Sequence, residues 1–263
     1  MGEVSTRMTQ YGTLLDSLKD GIGIASMVGV TDGAFCGKYG VGNTIVQIGG
    51  YGVDPYKEDL EAIEGFLRPE VELARKSGAK VAVNFLGFDE DYVLAFAEGF
   101  KRAGGDILEY NAHTPSPKYA EKGLGYALLK KENQSNLYRV TRRLAEEVPL
   151  PLMIKARVWT TKSSGASVER IADDYVEVAE KLKENGAVGL HLNIRNEARG
   201  EPDLAILKEI KGQSDLFLMA SGYVRDAASA RSIFEAGAEV VLIGQAAMDD
   251  PEIVGRIVRA LEQ

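Results

Sequence analysis

The chain has one cysteine in 263 residues, Cys36. That excludes an internal disulfide, and without a second thiol it excludes a cysteine-built metal site. No metal is expected, and a reducing cytoplasm is the natural setting. No apolar run approaches the roughly 18 residues a membrane span needs. The N-terminus has no basic stretch leading into an apolar one, so no secretory signal is read there. Positive charge is scarce as well: 31 Lys and Arg against 39 Asp and Glu leave a net charge of −8. A broad nucleic-acid surface needs clustered Lys and Arg, so a polynucleotide partner is disfavoured, although a local basic patch stays open. Low-complexity linkers are missing too.

What the sequence has is alternation. Apolar runs over 21–30, 43–50, 79–87, 106–111, 150–158, 187–195, 215–222 and 239–244 read as eight strands, the first of them ending in a turn. Between them, apolar residues at spacings of three and four mark one face of a helix. These helices are expected over 56–77, 89–103, 133–147, 167–185, 202–211, 225–236 and 250–262, with Asp89, Ser167 and Asp226 as N-caps. Strands apolar on both faces, each followed by a helix, imply a parallel sheet covered by helices. Eight such units in this length fit a single α/β chain folded as one (β/α)8 barrel over 1–263. A doubly wound open sheet is the alternative. It would put G-x-G-x-x-G after the first strand, and the glycines of "GVTDGAFCGKYG" are not so spaced.

In such a barrel the chemistry sits at the C-terminal ends of the strands. Those ends turn polar together: Ser26, Gln47, Asn84, Glu109 and Asn111, Lys155 and Arg157, His191 and Asn193, Ser221, and Gln245 just past the last strand. Because side chains alternate along a strand, Glu109 and Asn111 share the face of Ile107, and Lys155 and Arg157 that of Met153. Strands four and five should be neighbours, so Glu109 and Lys155 can pair at the mouth, the carboxylate keeping the lysine protonated. Plainer readings stand beside these. The pair can simply close the barrel top, Gln47 and Asn84 can cap loop backbone, and His191 can be a core residue. Ser-Gly after strand seven and Gly-Gln after strand eight mark the place where barrels often bind phosphate. There Gly222 and Gly244 would let the backbone approach, or would only serve tight turns.

"IASMVGVTDGAF", "ILEYNAHTPSPKYAEKGLGYALLK", "PLMIKARV", "LNIRN" and "ASGYVRDAASARSIFEAGAEVVLIGQAAMDDPEI" follow one another in this order. Together they resemble the tRNA-dihydrouridine synthases, within the FMN-binding barrel superfamily that also holds dihydroorotate dehydrogenase-like proteins. The likeness runs from about residue 22 to the end. It implies an FMN site with Ser26 and Met27 along the isoalloxazine and Asn84 near its polar edge. Lys155 would stabilise negative charge on the reduced ring, and Ser221, Gly222, Gly244 and Gln245 would surround the phosphate.

Departures from the family pattern are also informative. The family's proton-donating cysteine falls at Thr114, whose hydroxyl is too weak an acid for that role. His113 stands beside it. The family's histidine aligns with Asn193, and its strand-eight arginine is replaced by Gln245. The family's helical tRNA-binding domain is not expected after this barrel, since the sequence stops one helix past strand eight. The first expectation is therefore an FMN-dependent oxidoreductase acting on a small, cyclic molecule by hydride transfer at flavin N5. Asn111 would hold the substrate, Lys155 would tune the flavin, and His113 or Thr114 would act on the proton. The alternatives are a tRNA-dihydrouridine synthase with a divergent site, and a non-catalytic flavin-binding or subunit barrel. The oligomeric state is open.

Overall fold

The computed structural model describes residues 10–53, 59–158 and 165–263. Eight parallel strands form a closed ring: β1 Gly21–Ile24, β2 Ile45–Val53, β3 Lys80–Gly87, β4 Ile107–Ala112, β5 Leu152–Arg157, β6 Gly189–Asn193, β7 Phe217–Ser221 and β8 Val240–Ile243. They neighbour one another in chain order, and β8 pairs with β1 to close the barrel. The helices are α1 Gly33–Tyr39, α2 Leu60–Ala74, α3 Glu90–Arg102, α4 Pro117–Ala120, α5 Gln134–Glu147, α6 Val168–Glu184, α7 Leu204–Gln213, α8 Ala227–Glu235, α9 Gln245–Asp249 and α10 Ile253–Leu261. The fold is the (β/α)8 barrel that the alternation implies, and the open sheet is excluded.

The three expected N-caps are in place. Asp89, Ser167 and Asp226 accept from the backbone N–H of Tyr92, Arg170 and Ser229 at 3.0, 3.2 and 2.7 Å. Each satisfies a donor that the first helical turn leaves unpaired.

Several boundaries differ from expectation. The second strand continues past residue 50 to Val53 through a bulge between Gly49 and Tyr51. Gly49 and Gly50 adopt φ of 91° and 90°, and a Cβ on Gly49 would lie 2.3 Å from the Tyr51 ring. The sixth strand stops at Asn193, after which Arg195–Asn196 pairs antiparallel with Glu201–Pro202 in a small ribbon. The stretch 250–262 holds only α10, and the shorter α9 precedes it. Helices α1 and α4 have no counterpart among the expected helices; at seven and four residues they are too short to show a period. Of the helix expected over 56–77, residues 56–58 lie outside the described residues.

Alternation divides the core in two. Outward residues such as Val81, Val83, Leu108 and Ile154 pack under the helices. Inward residues Ile45, Ala82, Ile107, Met153, Phe217, Met219, Val240 and Leu242 fill the lumen, and Leu15 and Leu18 from the preceding segment pack against them. Two residues further along the same inward faces the lumen becomes polar: Gln47, Asn84, Glu109 and Lys155. A strand that is apolar at its start and carries a glutamate near its end is thus one wall of a lumen with an oily floor and a polar upper layer.

Candidate active site

The polar layer centres on Glu109, whose side chain is fully buried. Oε2 accepts from Gln47 Nε2 at 2.5 Å and lies 2.8 Å from His191 Nδ1. Oε1 accepts from Asn84 Nδ2 at 2.7 Å and sits 3.7 Å from Lys155 Nζ. Burial alone would raise this carboxyl, but His191, Lys155 and Asn84 outweigh it and hold it down at about 2. Glu109 is therefore an acceptor on both oxygens.

That fixes the directions of its neighbours. Gln47 spends its amide N–H on Glu109, and its Oε1 accepts from the backbone N–H of Ser26 at 3.1 Å. Its side chain thus joins the lumen to the β1 loop, combining the capping role with a place in the buried network. Asn84 Oδ1 accepts from Asn111 Nδ2 at 2.8 Å. Asn111 Oδ1 in turn accepts from the backbone N–H of His113 and of Thr114, both at 2.9 Å, which sets the start of the β4 loop. Lys155, 4% exposed, donates to Ser26 Oγ at 3.1 Å. Burial lowers its pKa and Glu109 opposes that pull.

His191 touches no part of the cavity surface. Its Nε2 is 2.7 Å from Ser221 Oγ. Burial lowers its pKa against the attraction of Glu109, so the ring is neutral, with its proton on Nδ1 facing the carboxylate. Nε2 then accepts, and the Ser221 hydroxyl gives its proton to His191. The core reading of His191 holds for burial, while its bonds place it beneath the mouth as a link from β4 to β7.

Above this layer lies a cavity of about 880 Å³, within the usual range for small-molecule sites. The residues that the family resemblance points to for cofactor or catalysis line it, whereas Gln47, Glu109, Arg157 and His191 of the polar strand ends do not. Ser26 and Met27 come from the β1 loop, Asn84 from β3, and Asn111, His113 and Thr114 from β4 and its loop. Lys155 comes from β5, Asn193 from β6, Ser221 and Gly222 from β7, and Gly244 and Gln245 from β8. Arg157 instead reaches outward to Glu197 at 3.1 Å.

His113 is tied to the opposite wall. Its Nε2 is 3.0 Å from Asn193 Nδ2, the amide donating. Burial comes first and Lys155 second in pushing its pKa well below the ordinary histidine value. It is a neutral ring whose Nε2 is already occupied. Thr114 Oγ1 accepts from the Ser116 backbone at 3.4 Å. Neither side chain is a charged acid at neutral pH. Cys36 is buried behind β2 and away from the cavity, and burial pushes its thiol up to about 12.

Tyr119, Tyr223 and Arg225 are among the lining residues that carry no role in the sequence reading. Tyr119 reaches the rim from α4, and Tyr223 and Arg225 follow β7. Tyr223 takes φ of 57°, a region that bulky residues rarely adopt, and nothing in the sequence marks it. The Arg195 guanidinium carbon lies 4.7 Å from the centroid of the Tyr223 ring and that of Arg225 5.1 Å.

The lining would suit a flavin. A buried ammonium and two carboxamides crown the floor, and Lys155 and Asn84 retain N–H groups beyond those already engaged. Arg195 Nε is buried without a hydrogen-bond partner among the described residues. No group of His, Cys, Asp and Glu among the described residues could hold a metal ion, and no described helix is long and apolar enough to cross a membrane.

Comparison with known proteins gives a consistent result. Residues 65–263 match the family described as Dihydrouridine synthase (Dus). An uncharacterized protein of Methanocaldococcus jannaschii is 32% identical over 55% of this chain and 60% of its own length. The tRNA-dihydrouridine synthase B of Pseudomonas putida is 26% identical over 96% of this chain and 71% of its own. Among solved structures, a morphinone reductase mutant in complex with tetrahydroNAD superposes with a TM-score of 0.66 at 14% identity, covering 92% of this chain and 87% of that one. A DHODH from Eimeria tenella in complex with ferulenol gives 0.60 at 17%, covering 91% and 80%. At such identity the structural likeness speaks for the fold alone.

Proposed function

The chain belongs to the dihydrouridine synthase family, and from that footing we propose that it is an FMN-dependent oxidoreductase acting on a small cyclic substrate. The observation that carries this reading is Lys155: a buried ammonium at the cavity floor, held by Ser26 and Glu109. Bound FMN would supply hydride exchange at its N5. The chain's own residues do the rest. Lys155 and Asn84 would present N–H groups to the polar edge of the ring, and the ammonium would favour negative charge there. Ser26 and Met27 would flank it, and the Ser221–Gly222 and Gly244–Gln245 loops would hold the phosphate end. Asn111, fixed by Asn84 on one side and two backbone donors on the other, holds its remaining amide proton toward the substrate.

The proton role falls to a neutral group. His113, tied at Nε2 to Asn193, has only its Nδ1 proton to offer. It therefore acts as a hydrogen-bond donor to developing negative charge more readily than as an imidazolium acid. Thr114 is a second hydroxyl on the same wall. Purification tests the reading: yellow protein that releases FMN on denaturation supports it. Colourless protein that fails to take up added FMN would leave a subunit or binding role in its place.

A second reading has an observation of its own. At the rim, Phe88 and Tyr119 stack with centroids 5.0 Å apart, and the Lys118 and Lys122 ammoniums lie over the Phe88 ring at 5.8 and 4.7 Å. Stacked aromatics with lysines suit a nucleic-acid base and its phosphates, and tRNA is the substrate in the names of the synthase B relatives. Retention of tRNA at low salt, lost steeply as salt rises, would favour tRNA; no retention favours the small substrate.

A further inference from the structure

The loop after β7 is built at a conformational cost. Gly222 has φ of 121°, and a Cβ there would fall 2.7 Å from Arg195 Cγ and 2.9 Å from Arg195 N. The loop therefore lies directly on the chain leaving β6. Tyr223 follows at φ 57°, a strained position for a large side chain. The result is an aromatic ring flanked by two guanidiniums, those of Arg195 and Arg225, on the cavity wall.

The ring stabilises each cation but cannot neutralise them. Arg195 has Glu197 at 3.7 Å, beyond hydrogen-bond reach of its buried Nε. Among the described residues no carboxylate pairs with the Arg225 side chain. The neighbouring β8 loop brings no cation to the cavity lining. Gln245 donates to Asp249 at 3.1 Å, and Asp249 and Asp250 both line the cavity. Asp250 is paired with Arg256 and Asp249 holds Gln245, so at this end of the cavity the unpaired positive charge stands on the Tyr223 side.

We propose that Arg225, with Arg195 across the Tyr223 ring, is the phosphate-reading element of this pocket and makes it select a phosphate monoester over the corresponding uncharged alcohol. The cofactor form of this inference rests on the flavin reading above. It moves the phosphate's cationic partner from the β8 loop, where Gln245 stands, to the β7 loop. The same cluster would serve a phosphorylated substrate if the cofactor's phosphate did not use it.

The test is a titration of intact protein, freed of any bound flavin, with FMN and with riboflavin, for the wild type, Arg225→Ala and Tyr223→Gly. Arg225 is exposed and glycine accepts the Tyr223 backbone, so neither variant threatens the fold. One charge-assisted hydrogen-bonded partner corresponds to about a 10- to 100-fold effect on affinity. The wild type is expected to prefer FMN over riboflavin by at least about that factor. Arg225→Ala and Tyr223→Gly should weaken FMN about 10-fold or more and leave riboflavin within about 2-fold. If FMN is unaffected by the substitutions but inorganic phosphate binds the flavin-loaded wild type and not Arg225→Ala, the phosphate belongs to the substrate and the element stands. If neither flavin binds, the flavin reading fails by itself, and inorganic phosphate titrated into the flavin-free chain decides the element: binding lost in Arg225→Ala supports it. Unchanged FMN preference together with no Arg225-dependent phosphate binding overturns it.

Discussion

Glu109 and His191, from strands two places apart in the barrel, meet across the lumen at 2.8 Å with both side chains wholly buried. Because Glu109 is ionised, the bond runs from Nδ1–H to the carboxylate. Because the ring is neutral, the opposite nitrogen takes the hydroxyl proton of Ser221. A serine at the cavity mouth is thereby turned into an acceptor by a glutamate on the far side of the barrel.

The tautomer is directly observable. Nitrogen-15 NMR at neutral pH should show His191 with a protonated Nδ1 and an unprotonated Nε2. A ring protonated on Nε2, or on both nitrogens, would contradict the assigned direction of every bond around Glu109.

Removing the carboxylate should be costly. Glu109→Ala leaves Lys155, Gln47, Asn84 and His191 facing a void, and breaking a buried charged pair in this way costs about 3–5 kcal/mol. Glu109→Gln keeps the volume and one acceptor and should cost clearly less. Denaturant midpoints of the two variants measure the difference, and equal losses would show that shape rather than charge matters at this position.

Stability should fall on the acid side in two stages. His113 and His191 are buried neutral, with folded pKa values below the ordinary value of about 6.5. Below that pH the unfolded chain takes up protons that the native one refuses, so stability declines as pH drops. Glu109 is depressed, so its contribution is present above about pH 4.3 and is lost as pH falls through about 2. Urea titrations at pH 7, 6 and 5 check the first stage. His113→Gln should flatten it, and a wild-type curve flat from 7 to 5 would refute it.

Cys36 should be inert. Its thiol is fully buried, held up at about 12, and lies 3.8 Å from the Gln47 carbonyl. Alkylating reagents should label it only on unfolding; rapid labelling of the native protein would place the β2 wall differently.

Much of this architecture is legible in the sequence, for identifiable reasons. Apolar runs separated by amphipathic stretches are forced by a sheet covered on the outside and filled within, so the eight strands stand out. Parity along β4 and β5 puts Glu109 and Lys155 in the lumen without coordinates. The partners of Glu109 are harder to read, because Gln47 and His191 lie 62 and 82 residues away and meet it only through barrel closure. The β2 bulge and α1 are hidden, since glycines permit a φ near 90° without announcing it. Tyr223 and Arg225 are missed for the opposite reason: tyrosine announces an ordinary backbone and here adopts a rare one. The missing arginine beside Gly244 is visible in the sequence, whereas the guanidinium that the fold brings in from the neighbouring loop is not.

A flavin seated over Lys155 is the central claim, and one titration reaches it. FMN added to flavin-free protein should bind saturably at one site per chain, and Lys155→Met should weaken that binding about 10-fold or more, the effect of losing a charged hydrogen-bond partner. Saturable binding with the same affinity in both proteins, or none in the wild type, would contradict it.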